Sequence, residues 1–225
     1  QSDPIHNVHD KFVRQLLQNR INARSFMETY LPVEVVNELQ LDTLELTQDS
    51  FISQEFKAYH SDLLYRVELA HQKSEAYIYL LLDHKSYVDA LAPFQLLTYT
   101  VRIWERSLEQ QRAARKEQPR TLKTPLQLPP VIPMVLYHGK EEWTVSQQFT
   151  DLFEVADALR PYLPNHHYWL LDLGDYDDDE VQGYVVLRAG LLVAKHIFNP
   201  ELRHKLGDIF NLLTELQDKE SALAQ

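Results

Sequence analysis

Asp62, Asp83 and Lys85 are the residues of this chain whose side chains and spacing suit catalysis best. Asp62 precedes the segment LLYRVEL, and Asp83 and Lys85 close the segment AYIYLLLDHK. Residues two apart on a strand share a face, so Asp83 and Lys85 point one way and His84 the other. The connection HQKSEA is short enough for an antiparallel hairpin. A turn centred near Gln72 or Lys73 sets Asp62 opposite Asp83 or its neighbour. Two neighbouring carboxylates repel each other unless a cation or a shared proton relieves them. Carboxylate oxygens completed by water suit Mg²⁺ or Mn²⁺, and without Cys or paired His at this place zinc is the weaker assignment. Such a metal would polarise a phosphoryl oxygen and acidify a bound water, with the Lys85 ammonium orienting that water or stabilising charge on the phosphorane. That is phosphodiester hydrolysis. The same residues also serve as ordinary strand-end solubilising groups, and spacing alone does not separate the two readings.

The elements that must position these residues follow from periodicity. Leu63 to Leu69 alternates as a half-buried strand, whereas Ala76 to Leu82 is continuously apolar, as in a central strand covered on both faces. His9 to Tyr30 has helical spacing at Phe12, Val13, Leu16, Leu17, Ile21 and Phe26, and a short helix runs from Pro32 to Leu39. Leu41, Leu44 and Leu46 then read as an alternating segment. Val88 to Gln118 reads as a long helix with Leu91, Phe94, Leu97, Val101, Trp104 and Leu108 inward. VIPMVLYHG is a strand whose Pro133 places it at a sheet edge, and His138-Gly139 is the turn closing it. A helix Phe149 to Leu159, a strand His167 to Leu173, and helices Gln182 to Phe198 and Pro200 to Gln217 complete the order, with the tail DKESALAQ fraying. The fold class is α/β, a mixed central sheet with helices on both faces.

The chain has 225 residues, 44% of them hydrophobic, enough to bury one domain or two small ones. We expect a single domain over 1–225, with a core over about 9–140 and an α/β C-terminal elaboration, largely helical, over about 141–225. The absence of Cys removes disulfides, thiol nucleophiles and Cys-based zinc sites, and fits a cytoplasmic protein. No apolar run approaches the roughly 20 residues of a membrane span. QSDPIHNVHD has no basic-then-apolar leader pattern, and a chain that does not begin with Met reads as a fragment. A formal charge of −11 argues against a simple nucleic-acid binder, which needs clustered Lys and Arg. The basic stretch Arg102 to Lys123 and the acidic stretch Asp172 to Glu180 read first as a solvated helix end and a solvated loop, with a polyanion-guiding rim as the alternative.

Other motifs have plainer readings. His9-Asp10 is a helix-start pair without the partner His and Asp of a metal phosphohydrolase. His166-His167 sits at a loop-to-strand junction. Tyr87, Tyr99 and Trp104 offer rings for stacking on bases, although Trp104 lies on the apolar face of its helix. Neither a Gly-rich phosphate loop nor a nucleophile elbow occurs.

Six segments in order carry a resemblance: HDKFVRQLL from His9, YLP at Tyr30 to Pro32, SDLLY at Ser61 to Tyr65, YLLLDHKS at Tyr79 to Ser86, PFQLLTYTVRIWE at Pro93 to Glu105, and PPVIPMVLYHG at Pro129 to Gly139. The chain resembles the Rpn family of recombination-promoting nucleases, the YhgA-like proteins of the PD-(D/E)xK nuclease superfamily. The resemblance implies a restriction-endonuclease-like core and Mg²⁺-dependent cleavage of DNA in recombination, mobile-element activity or defence. It implies that Asp62 and Asp83 are the motif acids and Lys85 the motif lysine, with the backbone carbonyl of His84 as a further metal ligand. Asp10 resembles the auxiliary acid of the first helix. Gln95 sits where the superfamily has a polar helper and the family commonly has Arg. Where members often carry Glu-His-Lys-Ser or Glu-His-Gln-Ser, this chain has Asp-His-Lys-Ser, whose shorter acid must lie nearer its metal. Double-strand cutting would need two sites and so a homodimer. DNA is the expected partner of the nuclease, together with an inhibitory protein of unknown identity. The rivals are a catalytically inactive nuclease fold that binds DNA or protein, and an RNase.

Overall fold

Alternating and fully apolar segments become the strands of one mixed sheet. A computed structural model describes residues 6–47, 62–72, 74–83, 88–117, 125–197 and 202–223. Its strands are β1 Leu39–Leu46, β2 Leu63–Leu69, β3 Glu75–Asp83, β4 Val131–Tyr137 and β5 Trp169–Asp172, adjacent in chain order. β1, β2 and β3 run antiparallel, whereas β3, β4 and β5 run parallel. The helices are α1 His6–Gln18, α2 Arg20–Tyr30, α3 Val33–Asn37, α4 Ala92–Glu117, α5 Val185–His196 and α6 Leu202–Leu223. This arrangement is consistent with a restriction-endonuclease-like core. None of the described helices is long and apolar enough to cross a membrane.

Two cores lie on opposite faces of the sheet. On one, Val13 and Leu17 of α1, Phe26 and Met27 of α2, and Leu187 and Leu191 of α5 pack on Tyr65, Val67, Ile78, Leu80 and Leu136. On the other, Leu96, Tyr99 and Ile103 of α4 cover Leu64, Tyr77, Tyr79, Leu81, Val135 and Tyr137. β3 is buried on both sides, which explains its unbroken apolar run. The segment after residue 140 supplies both the fifth strand and α5 in the first core.

Several sequence expectations need correction. The expected helix from His9 to Tyr30 is two helices. Asn19 is extended, and its side-chain oxygen accepts hydrogen bonds from the Ile21 and Asn22 main-chain N–H at 3.0 and 3.2 Å, starting α2 afresh. Helix α4 turns the other way from the expectation, with Ala92, Leu96, Tyr99 and Ile103 buried while Leu91, Phe94 and Val101 are exposed. It also starts later, because Asp89 accepts the Leu91 N–H at 2.9 Å and Pro93 occupies its first turn. β4 is interior despite Pro133. The Tyr77 N–H bonds to the Pro130 carbonyl, so ladder alternation turns the nitrogen of Pro133 toward β5, whose pairing begins only at Met134. Finally, Phe149 to Leu159 holds no α-helix, only 3-10 turns at Phe149–Leu152 and Asp157–Tyr162, the second containing Pro161. At the other end, α6 continues through residues expected to fray.

Asp178 fastens the C-terminal helices to the acidic loop. Its carboxylate is 2.7 Å from Nε2 of His196 and 3.1 Å from Nζ of Lys195, both on α5, and accepts a hydrogen bond from Lys205 of α6. Burial would raise its pKa, but hydrogen bonds from Lys205, His196 and Lys195 outweigh that and hold it well below the usual carboxylate range. A depressed pKa in the folded state contributes stability above the unfolded value of about 3.9, lost as pH falls through the folded one. Because this carboxylate is 39% exposed, solvent screening limits the effect. Asp178→Asn should cost about 0.5–1 kcal/mol at pH 7, and urea unfolding should show that gap shrinking at pH 3. An equal gap at both pH values would contradict this assignment.

Candidate active site

The antiparallel turn between β2 and β3 brings the start of one strand and the end of the other to the same sheet edge. Leu63 pairs with Leu80 and Leu64 with Tyr79. Extended by one residue, this register sets Asp62 across from Leu81, not across from Asp83 or its neighbour as expected. The Leu69 N–H bonds to the Ser74 carbonyl, centring the turn on His71 and Gln72. One residue of shift in a turn centre moves the cross-strand partner by two. The shift preserves parity, so positions 62 and 83 stay on one face as diagonal neighbours.

Asp62 is 5% exposed, on the sheet face that α4 covers. Its Oδ2 accepts a hydrogen bond from the Tyr79 hydroxyl, and its main-chain carbonyl accepts one from Nη1 of Arg14 at 3.1 Å. Burial, followed by the charge of Asp62 and then Tyr99, raises the Tyr79 pKa well above its ordinary value, so the hydroxyl remains a donor. Tyr79 stacks on Tyr99 of α4 with ring centroids 4.6 Å apart. One turn earlier on α4, Nε2 of Gln95 is buried and finds no hydrogen-bond partner among the described residues. An amide donor left in this state is uncommon and marks a place where a polar group is expected.

The fold brings Asp62, position 83 and the first turn of α4 to one region. Diagonal strand neighbours have β-carbons about 7–8 Å apart or somewhat less, a span that two short carboxylates can bridge through a cation with oxygen distances of about 2.1 Å. The buried Asp62 carboxylate offers oxygen ligands of the kind that Mg²⁺ or Mn²⁺ takes, while the Gln95 amide N–H, a donor, suits a water or phosphoryl oxygen beside such an ion and not the ion itself. Among the described residues no three His, Asp or Glu are grouped closely enough to hold a metal. The side chain of Asp83, and His84 and Lys85 entirely, lie outside the described residues. Asp10 belongs to α1, one turn before Arg14, and its side chain is also outside them.

Asp172 falls both within the expected strand His167 to Leu173 and at the start of the acidic stretch expected to be a solvated loop. It is a buried residue at the end of β5, in register with Tyr137, which is itself in register with Asp83. The three positions form a row at the carboxyl ends of the parallel strands, where open α/β sheets receive ligands. Burial lifts the Asp172 carboxyl above the usual range, against the hydrogen bond it accepts from the Gly174 N–H at 2.8 Å. The signal was present in the sequence, since LLLD and LLD both close an apolar strand with an acid. His138 follows the row and is buried.

The secondary motifs take structural roles. Tyr99 is 3% exposed and packs inside, so it offers no face for a base. Trp104 donates its Nε1–H to the Pro129 carbonyl at 2.9 Å. His166 is half-buried, its Nε2 3.4 Å from the Thr100 hydroxyl, and burial followed by His167 lowers its pKa. His167 Nδ1 lies 3.2 Å from the Gln148 amide. In the basic stretch, Arg102 and Arg106 have Glu105 and Glu109 at 2.8 and 3.8 Å. Tyr87 and residues 118–124 fall outside the described residues.

Comparison with known proteins adds an independent line. A family model described as "Putative transposase, YhgA-like" matches residues 7–224. Recombination-promoting nuclease RpnD of Escherichia coli O157:H7 is 30% identical over 206 residues, covering 91% of this chain and 74% of the relative. Recombination-promoting nuclease RpnC of Escherichia coli strain K12 is 28% identical over 94% of this chain and 66% of its own length. The inactive recombination-promoting nuclease-like protein RpnE of the same strain is 27% identical over 96% of this chain and 67% of its own length. The chain thus spans two thirds to three quarters of these relatives. No solved structure matches it significantly.

Proposed function

We propose, from the premise that this chain belongs to the YhgA-like transposase family, that it is a metal-dependent nuclease hydrolysing phosphodiester bonds of DNA in recombination. The observation that carries the reading is the diagonal placement of Asp62 and position 83 on one face and edge of the sheet. Asp62 and Asp83, with the His84 carbonyl, would hold Mg²⁺ or Mn²⁺. When bound, that ion supplies a Lewis acid for the phosphoryl oxygens and an acidified water. Lys85, two residues beyond Asp83, orients the attacking water and stabilises negative charge on the phosphorus centre. Gln95 offers its buried amide donor to the same region, and Asp10 assists from α1.

Supercoiled plasmid and a structured RNA, each incubated with the purified chain in Mg²⁺, in Mn²⁺ and in EDTA, test this. DNA should be nicked or linearised with either metal and left intact in EDTA. Cleavage of RNA alone would turn the assignment to an RNase. Intact DNA and RNA with both metals would favour the inactive nuclease fold that the name of one relative describes.

A further inference from the structure

Tyr79 is the one hydroxyl-bearing side chain between Ile78 and Leu82 of β3, a stretch otherwise aliphatic. It is 1% exposed. Phenylalanine would fill nearly the same space, and a hydroxyl buried in an apolar core carries a penalty unless it finds a partner. The partner is Oδ2 of Asp62, two residues beyond the Leu64 that pairs with Tyr79 across the strands. Two further contacts restrict the geometry. The Tyr99 ring lies against the Tyr79 ring at an interplanar angle of 24°, so α4 limits its rotation. Arg14 of α1 holds the Asp62 main chain at its carbonyl, so backbone and carboxylate are restrained from opposite faces of the sheet.

We propose that Tyr79 is a positioning residue that sets the Asp62 carboxylate for metal binding, with Tyr99 as the support that keeps Tyr79 in place. This rests on the reading of Asp62 as a metal ligand. A carboxylate already oriented loses less freedom when a cation binds, and outer partners of ligating groups characteristically govern affinity by about 10–100-fold. The arrangement gives Tyr99 of α4 a role in the chemistry without contact with substrate: its ring holds a ring whose hydroxyl holds a ligand.

Calorimetric titration with Mn²⁺, without nucleic acid, tests the proposal on the wild-type chain and on Tyr79→Phe, Tyr99→Leu and Asp62→Asn. Asp62→Asn should bind no measurable Mn²⁺. Tyr79→Phe should remain folded by circular dichroism while its Mn²⁺ dissociation constant rises about 10–100-fold. Tyr99→Leu should weaken binding less, because the hydroxyl remains. Raising Mn²⁺ should restore Tyr79→Phe cleavage toward the wild-type maximum, the behaviour of an affinity defect and not of a damaged fold. If Asp62→Asn loses Mn²⁺ while Tyr79→Phe binds as tightly as the wild type, positioning by Tyr79 is overturned and the metal site stands. If Asp62→Asn binds like the wild type, or the wild type binds no Mn²⁺, the metal reading fails and this inference with it. Should Tyr79→Phe not fold, Tyr99→Leu decides, and unchanged affinity there overturns the proposal.

Discussion

Replacing Asp83 with alanine should lower the initial rate of plasmid cleavage at saturating Mg²⁺ by at least about 10³-fold, equivalent to about 4 kcal/mol of transition-state stabilisation. The size follows from the dual role assigned to this carboxylate, which would hold the cation and set its distance from Lys85. Lys85→Ala should cost somewhat less, about 10²- to 10³-fold, the scale of losing one preorganised electrostatic contact to developing charge. Neither substitution removes the buried Ile78, Leu80 or Leu82 of β3, so urea midpoints should remain close to the wild type. Cleavage by Asp83→Ala at the wild-type rate would sink the assignment of the acidic pair, whatever the fold.

Leu80→Ala should have the complementary effect. Leu80 has no solvent exposure, sits on the strand buried on both faces, and belongs to the core formed with α1, α2 and α5. Removing its branched end deletes transfer energy and leaves a cavity that a paired central strand is poorly able to collapse. The expected loss is about 3–4 kcal/mol, or about 10 °C in melting temperature for a chain of this size. Urea denaturation followed by far-UV circular dichroism checks it, and a loss under about 1 kcal/mol would mean that the site relaxes freely.

Much of this was legible in the residues. β2 has the boundaries read from its alternation, and β3 differs by one residue at each end. The hairpin, the shared face and the two acids at one edge follow from period-two geometry and a short connection. The register did not, because loop length leaves the turn centre uncertain by a residue and each such residue displaces the partner by two. Helix α4 was turned the wrong way for a different reason. Leu91, Phe94 and Val101 form one apolar stripe and Leu96, Tyr99 and Ile103 another, and periodicity cannot choose between stripes when both are apolar. Pro133 misled because its missing N–H matters only on the side where a partner strand is present. The Tyr79 to Asp62 contact joins residues from two strands and is fixed by a ring from a helix, so no linear pattern encodes it. The resemblance across six segments identified the family, a step that spacing alone could not take.

The division of the interior by the sheet has an evolutionary consequence. The core shared by α1, α2 and α5 lies on the face opposite the acidic edge, and none of its residues is a candidate for chemistry. A lineage could therefore change Asp83 or Lys85 and retain that whole interior. Descent can then conserve the architecture while discarding the reaction, and a family that includes both a recombination-promoting nuclease and a relative named inactive is what such separability would produce.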